Sequence, residues 1–162
     1  MPTLVHLADE KNMQKIIKNG IKTGRYGLGV YCMPMLPSFY VSHQWLRELK
    51  QNGARTYVGV YFKLSSEEKV FAGRYDKPHR YIPLGEASSE IMDLEDPLGY
   101  ELIIDRKIEA SEITKVAYLP QTLGWRHFPG SHNKPPCACD YCLRQTIKER
   151  KTLNRINKDE KP

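Results

Sequence analysis

The sequence lacks a hydrophobic run long enough to cross a membrane. A membrane-spanning helix needs about 18 consecutive apolar residues. The stretch from Val58 to Phe62 is among the longest apolar stretches here, and the mean hydropathy is −0.58. The segment from Met1 to Glu10 also lacks the basic start and apolar centre of a secretory signal. These absences predict a cytoplasmic protein with no membrane partner.

Cysteine is scarce: there are four, and three of them are crowded into Cys137, Cys139 and Cys142. Thiols this close in sequence do not form a loop-closing disulfide framework, and in a reducing compartment their clustering favours a metal. A structural zinc needs a fourth ligand, for which His132 and His127 are the local candidates. The alternative is three reduced cysteines in a tight loop.

Charge is nearly balanced over most of the chain. The formal net charge is +6, and the segment from Leu143 to Pro162 supplies +4 of it, with seven Lys or Arg against three Asp or Glu. Such a tail increases residence on a polyanion such as nucleic acid, although a solvated helix face would have the same composition. With 162 residues, 40% of them hydrophobic and 27% charged, the chain predicts one packed domain.

Hydrophobic patterning predicts a mixed α+β fold. β-branched and aromatic residues fill Arg55 to Leu64, which is the strongest strand prediction. Helices are predicted after Asp9, ending at Gly20, and from Pro37 to Gly53. Further strands are predicted at Thr3 to Leu7, Gly29 to Cys32, Lys69 to Ala72, Tyr100 to Asp105 and Lys115 to Leu119. Because the later strands have no helices between them, a doubly wound parallel sheet is disfavoured.

Two stretches have no regular pattern. Residues from Arg74 to Leu98 contain three prolines and predict a long irregular loop, which in a compact domain tends to be functional. Residues 121–142 are rich in Trp, His, Pro and Cys. The predicted organisation is a core over residues 1–120, a loop over 121–142 packed on it, and a basic C-terminal helix or tail over 143–162.

Five short motifs occur in a fixed order, namely Leu4-Val5-His6, Asn19-Gly20-Ile21, Gly27-Leu28-Gly29-Val30-Tyr31, Ser38-Phe39-Tyr40 and Tyr100-Glu101-Leu102-Ile103. In this series the chain resembles the ADP-ribosyltransferase family, in the diphtheria-toxin-like branch shared with the poly-ADP-ribose polymerases. The resemblance covers about residues 3–119. It implies a split antiparallel β-sheet core with flanking helices, to which the cysteine-rich segment would add a C-terminal zinc loop. It also implies NAD as co-substrate.

The resemblance assigns roles to individual residues. Cleavage of the nicotinamide–ribose bond passes through an oxocarbenium-like ribose, so a carboxylate on the ribose hydroxyls favours the developing charge. Glu101 is the candidate for that carboxylate. By resemblance, His6 bonds a ribose hydroxyl and the backbone at Leu7 holds the carboxamide, although the family often has Gly after this His. The remaining expected contacts are a nicotinamide sandwich by Tyr31 and Tyr40 and pyrophosphate contacts by Arg25 and Lys22.

The acceptor is expected to be a macromolecule that receives a single ADP-ribose. Arginine-modifying relatives carry an acid or amide two positions before the catalytic Glu, where this chain has Gly99. Nucleic acid is favoured over protein because positive charge alternates with aromatic residues in the segment of Arg74, Lys77 and Arg80. Small transferases of this kind are often toxins or phage-defence effectors, so the resemblance also raises an antitoxin partner.

Two other functions remain open at this point. RNA 2'-phosphotransferase shares the fold and consumes NAD, but it uses an additional Arg-x-His-type strand that Val30-Tyr31-Cys32 does not supply. A non-enzymatic, zinc-bearing nucleic-acid-binding module would make His6 and Glu101 structural. Both enzymes release nicotinamide from NAD, whereas the module does not.

Overall fold

The computed structural model describes residues 1–24, 29–50, 54–121 and 123–124. Within them, one seven-stranded sheet has the order β5-β4-β6-β2-β1-β3-β7, and every neighbouring pair is antiparallel. The strands are β1 (Thr3–Asp9), β2 (Val30–Pro34), β3 (Tyr57–Lys63), β4 (Lys69–Arg74), β5 (Arg80–Pro83), β6 (Tyr100–Ile104) and β7 (Ile113–Tyr118). The mixed α+β class expected from the sequence is confirmed.

Among the described residues, four α-helices accompany the sheet: α1 (Met13–Asn19), α2 (Phe39–Ser42), α3 (Leu46–Leu49) and α4 (Leu84–Asp93). The end of α1 is set by Gly20, whose φ of 79° is left-handed and whose Cα lies so close to the Ile108 carbonyl that a Cβ would collide with it. Ser38 is the N-cap of α2, and its hydroxyl accepts a hydrogen bond from the Val41 N–H at 3.3 Å. No helix in the described part of the chain is long and apolar enough to cross a membrane.

The core lies around the central strands. β3 is buried along six of its seven residues, which explains why its pattern is a continuous run of β-branched and aromatic residues rather than a simple alternation. β6 contributes Leu102 and Ile104 to the same core, and α4 covers it with Leu84, Ala87 and Ile91. These helix positions have the i, i+3, i+7 spacing of one helical face.

The prediction of a long irregular loop from Arg74 to Leu98 is wrong. That stretch contains β5 and α4, and Pro83 lies at the N-cap of α4, where the absence of an N–H costs no hydrogen bond. The prolines therefore mark the ends of elements rather than a loop. The single helix predicted from Pro37 to Gly53 is instead two short helices, α2 and α3, within its described residues.

Candidate functional site

A cleft of about 480 Å³ brings together four of the residues that the motif series singles out: His6, Leu7, Tyr31 and Glu101. They come from three different strands, β1, β2 and β6. Its other lining residues are Val5, Cys32, Met33, Ser42, Trp45, Glu48 and Leu49. The cleft is thus mostly apolar with a few convergent polar groups, as is usual for a small-molecule site.

The cleft forms where β1 and β2 part. Within the described ladder these strands pair only at Leu4–Pro34 and Val5–Met33, whereas β1 stays paired with β3 from Thr3 to Asp9. Beyond Val5 the edge of β1 that faces β2 is therefore released from the sheet. The His6 side chain spans the gap, with Nδ1 at 2.7 Å from the Tyr31 carbonyl oxygen.

The Tyr31 carbonyl fixes the chemistry of the His6 ring. A carbonyl oxygen only accepts, so Nδ1 carries the hydrogen and Nε2 of the neutral ring is an acceptor. Burial lowers the pKa of His6 below its ordinary value, and the bond to Tyr31 opposes this shift only in part. His6 is therefore neutral at pH 7. Its Nε2 has no hydrogen-bond partner within the described residues and is available to a ligand hydroxyl.

Tyr31 offers its ring to the cleft. The side chain is 43% exposed although its strand neighbours Val30 and Cys32 are buried. Burial of the hydroxyl raises the pKa of Tyr31, and the negative charge of Glu101 raises it further. An exposed aromatic face beside a carboxylate suits a flat cationic ring such as nicotinamide in NAD.

Glu101 stands near the start of β6 and is largely buried. Its Oε1 lies 3.0 Å from Nε2 of His79, and the two side chains are 16% and 14% exposed. Burial raises the pKa of Glu101, while the charge of His79 and its hydrogen bond oppose that rise. Within the described residues, the second carboxylate oxygen has no partner.

His79 belongs to the basic and aromatic segment that the sequence predicts to border the site, but nothing in the sequence indicated that it contacts Glu101. It precedes β5 by one residue, and only the pairing of β4 with β6 brings it to Glu101. Gly73 is the cross-strand partner of Glu101, and a Cβ on Gly73 would lie 3.4 Å from the Cα and 3.5 Å from the ring of His79. The missing side chain at Gly73 leaves room for the imidazole. No local sequence signal reports such a contact.

Gly99 cannot be replaced by an acid without strain. Its φ of +88° is left-handed, and a Cβ would meet the Tyr75 ring at 3.2 Å. The Gly99 N–H also donates to Oε1 of Gln44 at 2.7 Å. The backbone two positions before Glu101 is thus built for glycine.

A second cleft, of about 570 Å³, adjoins the first at His6 and Leu7. Polar and basic side chains line it, including Asn12, Lys15 and Lys22. Lys22 is one of the two residues expected at the pyrophosphate. The other, Arg25, lies outside the described residues.

Tyr40, the predicted partner of Tyr31 in a nicotinamide sandwich, is not part of the first cleft's lining. It is 41% exposed on α2, whereas Trp45 does line that cleft. The Trp45 indole N–H donates to the Tyr100 carbonyl at 2.7 Å, and its ring meets Tyr75 edge to face. The second aromatic wall of the cleft is therefore Trp45, a residue whose helical pattern indicated only packing.

The three basic residues expected to contact nucleic acid differ in their surroundings. Arg74 is paired with Asp76 at 3.1 Å, and Arg80 is paired with Glu90 of α4. Register pairs Arg80 with Ala72 and Ala72 with Leu102, so Arg80 lies on the sheet face opposite to Glu101. Lys77 is exposed and has no ion pair within the described residues.

The expected zinc ligands Cys137, Cys139, Cys142 and His132, with the alternative His127, lie outside the described residues, as do the segments 125–142 and 143–162. Among the residues that are described, no group of three or more His, Cys, Asp or Glu could hold a metal ion. Cys32 is a buried free thiol, and burial raises its pKa, so it is an inert small side chain in the cleft wall.

Comparisons of the chain with protein-family models, with curated proteins and with solved structures found no match.

Proposed function

We propose that this chain is an NAD-dependent mono-ADP-ribosyltransferase with the split-sheet fold of that family. The observation that carries the proposal is the convergence of His6, Tyr31 and Glu101 on one cleft at the point where β1 and β2 part. Their separation in sequence gives no local reason to expect it. The cleft combines an aromatic face, a hydroxyl-binding acceptor and a buried carboxylate, which is the set that NAD cleavage requires.

The reaction follows from these groups. The bond between the ribose anomeric carbon and the nicotinamide nitrogen breaks, and its electron pair leaves with nicotinamide. Glu101 bonds the ribose hydroxyls and stabilises the oxocarbenium-like state electrostatically. The acceptor atom then bonds the anomeric carbon, and its proton passes to the Glu101 carboxylate. Meanwhile His6 Nε2 accepts from a ribose hydroxyl, and Tyr31 stacks on nicotinamide opposite Trp45.

The two clefts divide NAD between them. The first, with Tyr31 and Glu101, receives the nicotinamide riboside half, and the second receives the adenosine diphosphate half. Lys15 and Lys22 line the second cleft, where ammonium groups offset the charge of a pyrophosphate. His6 and Leu7 border both clefts and so stand at the junction of the two halves.

The proposed acceptor is nucleic acid, approaching on the sheet face of Glu101. Register pairs Tyr81 with Phe71 and Phe71 with Ile103, which is two residues from Glu101, so these side chains share that face. The Tyr81 ring is 46% exposed, packs on Phe71 at 4.6 Å and has the Lys69 ammonium 5.9 Å from its centroid. An exposed aromatic ring beside a cation suits stacking of an unpaired base.

The test is incubation with NAD labelled in the nicotinamide and, separately, in the adenine. Release of nicotinamide together with transfer of the adenine label to added single-stranded DNA or RNA is expected. Glu101→Gln should reduce both by about a hundredfold or more. Glu95→Gln is the matched control, because the Glu95 side chain is exposed and makes no hydrogen bond or ion pair within the described residues.

Other outcomes identify the alternatives. No nicotinamide release by the folded protein overturns the enzyme and favours a nucleic-acid-binding module. Release that requires 2'-phosphorylated RNA, with loss of its phosphate, identifies a phosphotransferase. Label found on protein alone overturns the nucleic-acid acceptor but not NAD cleavage.

A further inference from the structure

The interaction between His79 and Glu101 assigns a role to a residue outside the motif series. Both nitrogens of the His79 ring face acceptors, since Nδ1 lies 3.0 Å from the Lys77 carbonyl and Nε2 lies 3.0 Å from Glu101 Oε1. A carbonyl cannot donate, so Nδ1 carries a hydrogen. When Glu101 is ionised, Nε2 must carry one as well, and the ring is then an imidazolium.

We propose that His79 is a positioning residue for Glu101: it holds one carboxylate oxygen with an N–H donor and offsets the carboxylate's charge, which leaves the second oxygen for the ribose hydroxyls of NAD. This inference rests on the proposed function for what Glu101 does. The hydrogen bond itself does not depend on NAD.

Each element around the pair contributes to this arrangement. The Lys77 carbonyl fixes the plane of the imidazole, and Gly73 leaves space for it beside Glu101. Because both partners are less than one-fifth exposed, water competes poorly for the bond. A carboxylate buried to this extent without a donor would be forced toward its neutral form.

Other charged and titratable groups surround His79 and Glu101, and they are unchanged in the His79 variants described next. His6 on β1, Tyr31 on β2 and Glu48 on α3 line the same cleft as Glu101. Arg74 and Asp76, on the chain leading to His79, neutralise one another at 3.1 Å. A change in the titration of Glu101 on substitution of His79 alone therefore reports the pair.

Two substitutions separate the donor from the charge. In His79→Gln the amide nitrogen can occupy the place of Nε2 and donate to Glu101 without a charge, whereas His79→Leu removes both. The acid limb of the pH profile for kcat of nicotinamide release should move to higher pH in both variants, by about one unit. At the plateau, kcat should fall on the order of tenfold in His79→Leu and recover in His79→Gln. KM for NAD should change less than about twofold, because His79 is not among the residues that line the cleft proposed to hold NAD.

A second readout needs no activity. Carbon-13 NMR of the Glu101 carboxyl, assigned with Glu101→Gln, measures its titration directly in wild type and both variants. We expect the midpoint to rise in His79→Leu and in His79→Gln. An unchanged midpoint, or equal loss of kcat at every pH in both variants, overturns the positioning role. If the midpoint shifts in the variants but the wild-type protein does not cleave NAD, the pair is confirmed and the proposed function alone is overturned.

Discussion

Nε2 of His79 lies 3.0 Å from Oε1 of Glu101 across 22 residues of sequence. The contact joins the end of the β4–β5 connection to the strand that carries the candidate carboxylate, so it depends on the register of β4 with β6. A slip of β4 by one residue against β6 would move Gly73, and with it His79, to the sheet face opposite to Glu101. The assembly of the site is therefore a consequence of strand pairing rather than of local sequence.

Glu101→Gln should make the protein more stable at neutral pH. Because burial raises the pKa of Glu101 in the fold, this residue stabilises the folded state below the unfolded pKa, and that contribution is lost as the pH rises through the folded pKa. A neutral side chain of the same shape removes the loss. We expect a melting temperature higher by on the order of 2 °C at pH 7, and a difference that shrinks toward pH 4.

Thermal unfolding followed by circular dichroism at a series of pH values measures this effect, with Glu95→Gln as the control that should show no pH-dependent difference. The prediction would be contradicted if the difference in melting temperature between Glu101→Gln and wild type were smaller at pH 7 than at pH 4. That outcome would mean that the Glu101 carboxylate is a net stabilising partner of His79 rather than a strained functional group.

Tyr31→Leu and Tyr40→Leu should differ in their effect on NAD. Both tyrosines are more than 40% exposed, so neither change should alter the fold. Tyr31 lines the cleft and Tyr40 does not, and an aromatic stack contributes on the order of 1 kcal/mol. We therefore expect KM for NAD to rise about fivefold in Tyr31→Leu and to change little in Tyr40→Leu. Equal increases in KM in steady-state assays would contradict this expectation and support the sandwich of nicotinamide between Tyr31 and Tyr40.

The sequence predicts individual strands well because each one is a local pattern. The prediction from Arg55 to Leu64 contains β3, and that from Tyr100 to Asp105 contains β6. The sequence did not show β5 or α4, since prolines at their boundaries concealed a four-residue strand and an amphipathic helix. Strand order was also inaccessible, because the pairing of β6 with both β2 and β4 joins segments far apart in the chain.

The site was predictable to the extent that it is encoded in motifs. His6, Leu7, Tyr31 and Glu101 were expected together, and they line one cleft. His79 and Trp45 could not be found in the same way, since each reaches the site through a tertiary contact. A histidine in a basic segment and a tryptophan on a helix have many structural uses, so residue type alone did not distinguish them.

The cysteine cluster predicts a bound metal from sequence alone. Purified protein, prepared without chelators and with reduced thiols, should contain about one zinc per chain if Cys137, Cys139, Cys142 and one histidine form a closed tetrahedral site. Cys139→Ser should then lower both zinc content and melting temperature, because metal binding is coupled to folding. Elemental analysis decides the question, and protein without stoichiometric metal would support three reduced cysteines.

Binding of single-stranded nucleic acid should depend on salt and on two exposed residues. Each phosphate neutralised contributes about 0.7 to the slope of log affinity against log salt on single strands. Lys77→Gln should lower that slope by about one such contact, and Tyr81→Ala should weaken binding about tenfold with little change in slope. Lys63→Gln is the matched control, because Lys63 is exposed at the end of β3. Salt-independent binding in fluorescence anisotropy would refute the acceptor surface.

His6→Asn should separate the roles of the two ring nitrogens of His6, Nδ1 and Nε2. The Asn amide N–H can donate to the Tyr31 carbonyl as Nδ1–H does, so the junction of β1 and β2 is kept, but nothing replaces Nε2. If Nε2 accepts from a ribose hydroxyl, KM for NAD should rise about fivefold to tenfold, the net effect of one hydrogen bond. His6→Leu removes both bonds and should in addition lower the melting temperature.

The pH dependence of stability gives an independent check on His6. Burial lowers the pKa of His6 in the fold, so wild-type protein loses stability as the pH falls from the unfolded histidine value of about 6.5 toward the lower folded pKa. His6→Asn has no group to protonate and should lack this part of the loss. The difference in melting temperature between the two proteins should therefore move in favour of His6→Asn between pH 7 and pH 5. A constant difference across that range would show that the ring is not held neutral, and Nε2 would then be a donor in the cleft instead of an acceptor.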